Sequence, residues 1–342
     1  MPLARTAQVG HPFAGEDSAP VAEEYEQGGL IHEPPQGLHL PQPGPGEGQG
    51  KGPGVDPGVI FGVGLHSLHR LFAQRPDPDA TDGSERLLPS KSSLMDERNY
   101  LILGATGGLG TPLTRLLTSR GDRVLALGRN EQSLEALHAD TGALPLVGDA
   151  RDSVSVEQAV KKAVEEFGRL DGAACLVGSI LLKPAHGTRP EEFEEVLQQN
   201  LMTAFHLVRA AAPAMGRSGG GSLVLMSSAA ARIGLPSHEA IAAAKAGVEG
   251  LTRSAAATYA SRGVRVNAVA PGLVRTPLSE RIISTPAALA ASESMHPMGR
   301  IGEPEDGAEL LAWLLSSGSS WVTGQTIGLD GGLSTVAAPR RS

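Results

Sequence analysis

Cysteine is all but missing from this chain, and the single Cys175 leaves no pair for an intramolecular disulfide or a zinc clip. A reducing compartment, the cytoplasm, is therefore the expected home. No apolar run approaches the roughly 20 residues that span a bilayer, so no membrane role is expected. Positive charge is in deficit: 29 Lys and Arg stand against 37 Asp and Glu, a net charge of -8 with no basic stripe to break it. That balance argues against a nucleic-acid partner. A targeting leader is not expected either, because no basic start precedes an apolar core, and Glu16, Asp17, Glu23, Glu24 and Glu26 do not suit an Arg-rich transit peptide. Tyrosine occurs only three times, at Tyr25, Tyr100 and Tyr259, a scarcity that bears on the chemistry below.

What the first 94 residues do contain is proline and glycine, roughly 30% of that stretch, as in Pro41-Gln42-Pro43-Gly44-Pro45-Gly46. Such a composition buries too little apolar surface to offset the entropy lost on ordering. Residues 1–94 are read as a disordered extension and residues 95–342 as one domain. Met95-Asp96-Glu97-Arg98 stands directly ahead of the first strand, where a compact domain of this kind begins. Either Met95 is the true start or the preceding segment is dispensable; the intact mass of the native protein separates the two.

From Asn99 onward short apolar runs alternate with longer helical stretches, the pattern of repeated βαβ units. Strands are expected at residues 100–103, 123–127, 144–147, 172–177, 222–226, 264–269 and 326–329. Expected helices include 108–119, 154–167, a long one around 191–215, and 238–261. The fold class that follows is α/β, a doubly wound seven-stranded parallel sheet of the Rossmann type.

Gly104-Ala105-Thr106-Gly107-Gly108-Leu109-Gly110 follows the first strand and opens the first helix. Glycines at Gly104, Gly108 and Gly110 let the backbone turn tightly beside a pyrophosphate held at a helix N-terminus. A glycine-rich turn with no ligand is the alternative. The second strand ends in Gly128-Arg129-Asn130. A carboxylate there would accept from a ribose 2′-hydroxyl and repel a 2′-phosphate; Gly128 removes the repulsion and Arg129 offers a fork of donors. NADP(H) is thus favoured over NAD(H), unless Arg129 is simply a solvated loop residue.

These motifs, with Asp149 after the third strand, Phe167-Gly168-Arg169-Leu170-Asp171-Gly172, and the later Pro271-Gly272, Gly302-Glu303-Pro304-Glu305-Asp306 and Asp330-Gly331-Gly332 segments, closely resemble the short-chain dehydrogenase/reductase family over residues 99–335. The style is nearest to the 3-oxoacyl carrier-protein reductases. The resemblance implies a cofactor cradle of Gly104, Thr106, Gly108, Leu109 and Gly110. It gives an adenine contact to Asp149 with its neighbour Ala150, and contacts to the nicotinamide carboxamide to Pro271, Gly272, Val274 and Thr276. The alternative for Asp149 is a helix cap, which Asp152 or Ser153 fills better. The resemblance also implies Asn200 as the holder of a relay water, Ser228 as the hydrogen-bond partner of the substrate oxygen, and Lys245 as the ribose ligand. Where the family reads Asn-Asn-Ala-Gly, this chain has Cys175-Leu176-Val177-Gly178 and keeps only the glycine.

The largest departure lies thirteen residues beyond Ser228 and four before Lys245. The family's proton-transferring tyrosine belongs there, and this chain has Ile241, whose side chain has nothing to titrate. Tyr259 lies on the same helix, roughly 27 Å away at about 1.5 Å per residue, and cannot reach. His238 shares a helix face with Ile241 and Lys245 at i, i+3, i+7 spacing, just after a Pro236-Ser237 cap, and its imidazole titrates near neutrality. It is a candidate proton carrier or, alternatively, a capping or solvent-facing residue. Two readings follow: an oxidoreductase for a small carbonyl or alcohol, or a dinucleotide-binding protein of the same fold acting as sensor, scaffold or partner subunit. The resemblance implies a homodimer or homotetramer, and the apolar residues of the segment 277–297 form a modest lid with no anchor for a charged substrate.

Deleting residues 1–94 is expected to leave the melting temperature and the dinucleotide affinity of the remaining domain unchanged, because that segment lacks the periodic apolar pattern needed to pack on it. A large fall in melting temperature would contradict this reading.

Overall fold

A computed structural model of the chain describes residues 97–337. The reading of residues 1–94 as a disordered extension lies outside the described residues. Within them the chain alternates strand and helix: β1 (Asn99–Leu103), α1 (Gly110–Ser119), β2 (Arg123–Gly128), α2 (Glu131–Thr141), β3 (Leu144–Val147), α3 (Ser153–Phe167), β4 (Gly172–Cys175), α4 (Pro190–Leu197), α5 (Thr203–Arg217), β5 (Gly221–Met226), α6 (Glu239–Tyr259), β6 (Val264–Pro271), α7 (Pro286–Met295), α8 (Pro304–Leu315) and β7 (Thr326–Leu329). All seven strands pair in parallel in the order β3-β2-β1-β4-β5-β6-β7. The expected doubly wound sheet is therefore present.

The apolar runs build two cores because side chains alternate across a strand. On β1, Leu101 and Leu103 face one way, into a layer with Val156 of α3, Leu207 of α5 and Val248 of α6. Tyr100 and Ile102 face the other, among Leu113 of α1, Leu134 of α2 and Leu311 of α8. Both faces are covered, which is why the central strands read as near-continuous hydrophobic runs. Tyr100 is buried in the second layer, and burial pushes its phenol well above the ordinary tyrosine range. It belongs to the core and has no part in proton chemistry.

Local signals set the element ends. Asp152 caps α3 by accepting from the Val154 and Ser155 amides at 3.0 and 3.2 Å, which frees Asp149 from that duty. Asn130 caps α2, and Gly142 ends it in a left-handed conformation at φ 74°. The tight start of α1 rests on Gly110, since a Cβ there would lie 2.2 Å from the Gly104 carbonyl oxygen. That glycine is needed for helix-on-strand packing.

Two expectations are corrected. The long helix around 191–215 is α4 and α5 joined by a π turn at Gln198–Met202, where one extra residue widens the coil. The helix expected from residue 238 has His238 itself at its N-cap, with no capping hydrogen bond from the side chain, and Ser237 takes a positive φ of 62° ahead of it. The Pro236-Ser237 pair makes the turn, and the cap lies one residue later.

Candidate active site

In the strand order β3-β2-β1-β4-β5-β6-β7, the chain leaves β1 toward one face of the sheet and β4 toward the other, so a crevice opens beyond their carboxyl ends. Gly104, with φ +80°, turns the chain out of β1 against Val177, which follows β4. One end of the crevice is lined by Gly104, Thr106, Gly108, Arg129, Asp149 and Ala150, all expected from the sequence as dinucleotide contacts, with Gly128 among them. Gly128 has no side chain where a Cβ would come within 3.2 Å of Thr106 Oγ1, so the floor stays open. Ala150 is buried, and its carbonyl accepts from His206 Nδ1 at 3.1 Å.

Asp149 is not free. The Arg151 guanidinium donates to its Oδ2 from Nε at 2.9 Å and from a terminal nitrogen at 2.7 Å, and the Arg151 backbone amide donates to its Oδ1 at 2.9 Å. The guanidinium holds this carboxyl below the ordinary aspartate range. Arg151 also pairs with Glu195 and lines the same crevice end. The sequence reading passed over it, although its position two residues after Asp149 in Gly148-Asp149-Ala150-Arg151-Asp152 was a usable signal. Two arginines, Arg129 and Arg151, therefore line the same end of the crevice.

The middle of the crevice is lined by Gly108, Leu109, Pro271, Gly272, Val274 and Thr276 together with Asn200, Ser228, Ile241 and Lys245. The residues expected at the two ends of a nicotinamide dinucleotide thus share one trough through Gly108 and Leu176 to Gly178. The turn after β6 is fixed by backbone: the Gly272 amide donates to Leu329, and Arg275 and Gly302 exchange bonds with the opposite segment. Gly108 matters through close approach. A Cβ there would lie 2.6 Å from Thr276 Cβ, so the glycine loop and the start of the lid meet edge to edge. The side-chain-free glycine loop leaves the trough open enough for a nicotinamide dinucleotide, which Gly104, Gly108 and the first turn of α1 would hold.

At the chemical end, Asn200 sits inside the π turn and is almost fully buried. Its Nδ2 donates to Ser179 Oγ and to the Val196 carbonyl, both at 3.0 Å, and its Oδ1 accepts from the Ser179 amide at 3.2 Å. Ser228 follows β5 and accepts from the Ala230 amide at 3.2 Å, leaving its own proton to donate. Lys245 Nζ is buried and donates to the Met226 carbonyl at 2.9 Å; burial pushes its pKa down to about 8. Ile241 is buried one helical turn before it. His238 lines the adjoining cavity rather than this one, and its Nδ1–H donates to the Pro236 carbonyl at 2.7 Å. So Ser228, Asn200 and Lys245 come together, and His238 stands apart from Asn200 and Lys245.

That adjoining cavity shares Ser228, Ile241 and Gly272 with the trough and is mainly apolar, with Ile180, Leu182, Leu235, Ile282, Met295 and Leu333 in its wall. His296 was missed by sequence reasoning. It is buried just beyond α7, its Nδ1–H donates to the Ser292 carbonyl at 2.7 Å, and its Nε2 accepts from the Leu273 amide at 3.2 Å. One imidazole thus ties the lid helix to the Pro271-Gly272 turn. Ser227 was missed too: its Oγ donates to Glu249 at 2.9 Å, bracing β5 against α6. A buried polar tie of either kind leaves no pattern in the sequence.

Among the described residues there is no cluster of three or more metal-ligating side chains, and no helix is long and apolar enough to cross a membrane. The sequence pattern of the family described as Enoyl-(Acyl carrier protein) reductase matches residues 104–334. The chain is 35% identical over 242 residues to the 3-oxoacyl-(acyl-carrier-protein) reductase of Thermotoga maritima, covering 68% of this chain and 96% of that protein. It is 36% identical over 246 residues to cis-4-hydroxycyclohexanecarboxylate dehydrogenase of Sinomonas cyclohexanicum, with 70% and 98% covered. Levodione reductase has a similar structure, with a TM-score of 0.67, 30% identity, and 70% of this chain and 98% of that one covered.

Replacing Gly108 with Val is expected to abolish NADPH binding while the sheet still forms, because the new side chain must displace Thr276 and fill the phosphate cradle. Titration of NADPH fluorescence alongside circular dichroism checks this; unaltered affinity would contradict the assigned cradle.

Proposed function

The chain belongs to the short-chain dehydrogenase/reductase family, and we propose that within it the protein is an NADP(H)-dependent oxidoreductase interconverting a small carbonyl compound and its alcohol. The observation that carries this reading is the meeting of Ser228, Asn200 and Lys245 in one trough with the glycine cradle and the Pro271-Gly272 turn. NADP(H) in preference to NAD(H) rests on Arg129 and Arg151 flanking the side-chain-free Gly128. The bound nicotinamide supplies or accepts a hydride. Ser228 donates a hydrogen bond to the substrate oxygen, Lys245 presents N–H donors to the ribose, and Asn200 holds the Ser179 segment across from them.

The substrate class follows from the adjoining wall. Its residues are predominantly aliphatic and, apart from His238 and His296, carry no ionisable group, so the cavity favours an uncharged, apolar carbonyl compound. The proposed assembly is a homodimer or homotetramer through α5 and α6, where Phe205 leaves 43% of its surface exposed on α5. A cytoplasmic setting accords with a single, buried cysteine.

A second reading, a dinucleotide-binding protein with little redox activity acting as sensor, scaffold or partner subunit, is favoured by one observation: Ile241 stands where the family resemblance expects a phenol. A panel of apolar ketones and aldehydes assayed for NADPH oxidation, with binding measured in parallel, separates the two. Binding without oxidation across the panel would replace the first reading by the second.

Arg129→Glu is expected to reverse the cofactor preference, weakening NADPH far more than NADH, since the new carboxylate repels a 2′-phosphate. An unchanged ratio of the two dissociation constants would refute the assignment. Ile241→Tyr places a hydroxyl between Ser228 and Lys245 and is expected to raise the rate on simple ketones by about 10²-fold, the lower end of what a positioned acid/base group contributes. A variant no faster than the parent would show that the pocket does not seat a phenol.

A further inference from the structure

We propose that the Lys245 ammonium is itself the acid that protonates the substrate oxygen during reduction, in place of the phenol that Ile241 does not provide. The proposal rests on the oxidoreductase reading above and deepens it. Of all the residues that line the trough holding Ser228, Asn200 and Ile241, Lys245 alone has an ionisable side chain. His238 lines only the cavity beside it, with Nδ1 already committed to the Pro236 carbonyl.

The geometry leaves the lysine nitrogen available. Of its three N–H bonds the protein takes one, at the Met226 carbonyl. Gly178 keeps the space before it open: a Cβ there would lie 3.5 Å from Nζ and 2.9 Å from Asn200 Oδ1. Ile241 packs on the same helix face one turn earlier, so the wall next to Nζ on that face is hydrocarbon and offers no phenol to share its proton.

Electrostatics make the proton transferable. Desolvation lowers the pKa of Lys245 to about 8, opposed only by Cys175 of β4, whose own thiol is pushed up by burial. Several charged groups on α6 and on elements packed against it are engaged elsewhere. Glu192 and Glu195 of α4 pair with Lys183 and Arg151, Glu249 pairs with Ser227 and Arg232, and Arg265 of β6 donates to carbonyls of the segment Leu314 to Val322. His206 of α5 is bonded to Ala150. A buried ammonium without a carboxylate partner gives up its proton near neutral pH, the range in which a general acid is most effective.

The step balances. The reduced nicotinamide supplies the hydride that forms the new C–H bond, the carbonyl π pair moves to oxygen, and that oxygen takes the proton from Nζ. The neutral amine then recovers a proton from solvent water. In the oxidative direction the neutral amine takes the hydroxyl proton as hydride leaves carbon.

Three measurements on the full chain test the proposal. The ε-carbon resonance of Lys245, isotope-labelled and assigned by its absence in Lys245→Met, is expected to titrate near pH 8 in the protein without substrate. Reduction rates are expected to fall about tenfold per pH unit above that midpoint, as the ammonium is lost, while oxidation rates rise toward it. Lys245→Ala is expected to lose at least about a hundredfold in turnover at saturating NADPH, with ethylamine in the medium restoring turnover. Lys245→Arg, whose guanidinium holds a ribose but releases no proton, is expected to stay inactive. A resonance that titrates with the surface lysines overturns the proposal, as does a Lys245→Ala turnover restored by more NADPH alone. So does an active Lys245→Arg, or a pH limb that vanishes in His238→Ala. If the parent protein reduces no carbonyl in the panel, the functional reading fails and takes this one with it; the other outcomes overturn this one alone.

Discussion

Between β1 and β4 the parallel sheet must send one chain over its front and the next over its back, and a crevice opens beyond the carboxyl ends of the two strands. The lining of the trough depends on that geometric split. It places the glycine loop before α1, the Leu176 to Gly178 segment after β4, and the turn after β6 around one trough. The two cores do not enter the trough; they hold its walls apart. Because both faces of the sheet are sealed by helices, the trough is where backbone polarity and solvent meet beside the hydrophobic layers.

Much of this was legible in the sequence, for physical reasons. The strands announced themselves as β-branched and leucine-rich runs bounded by glycine and polar residues, and the observed strands agree within two residues at each end. Gly104, Gly108 and Gly110 were legible because nothing else fits. What stayed hidden involves partners distant in sequence or backbone of unusual pitch. No composition marks a π turn, so residues 191–215 read as one helix when the coil widens at Asn200. The Arg151 fork on Asp149 and the His296 bridge to Leu273 require knowing which loops meet. His238 was legible as a face-mate of Lys245, yet helix periodicity fails at an N-cap, where the backbone is not helical.

Ile241 changes the physics of the site more than its chemistry alone implies. A phenol beside Lys245 would share the ammonium's field and accept a hydrogen bond from it; a buried aliphatic side chain does neither, and it also excludes water. The same substitution that removes one titrating group therefore shifts the balance of the other, because desolvation is the largest influence on Lys245. The neighbouring polar ties, Ser227 to Glu249 and Asn200 to Ser179, are complete without a phenol, so the wall is a finished structure and not a gap.

The π turn at Gln198–Met202 gives the molecule a rotational offset. One surplus residue in a coil of 3.6 residues per turn turns everything upstream by about 100° relative to a regular helix. The buried stripe of α5, with Leu207 and Ala211 against the sheet, is thereby uncoupled from the orientation of α4, whose Val196 packs with Ile241 and Ala244. Excising a single residue there would restore an unbroken helix with ordinary hydrogen bonding, and in doing so would swing Asn200 out of the trough. The placement of Asn200 thus depends on the number of residues in this segment as much as on their kind.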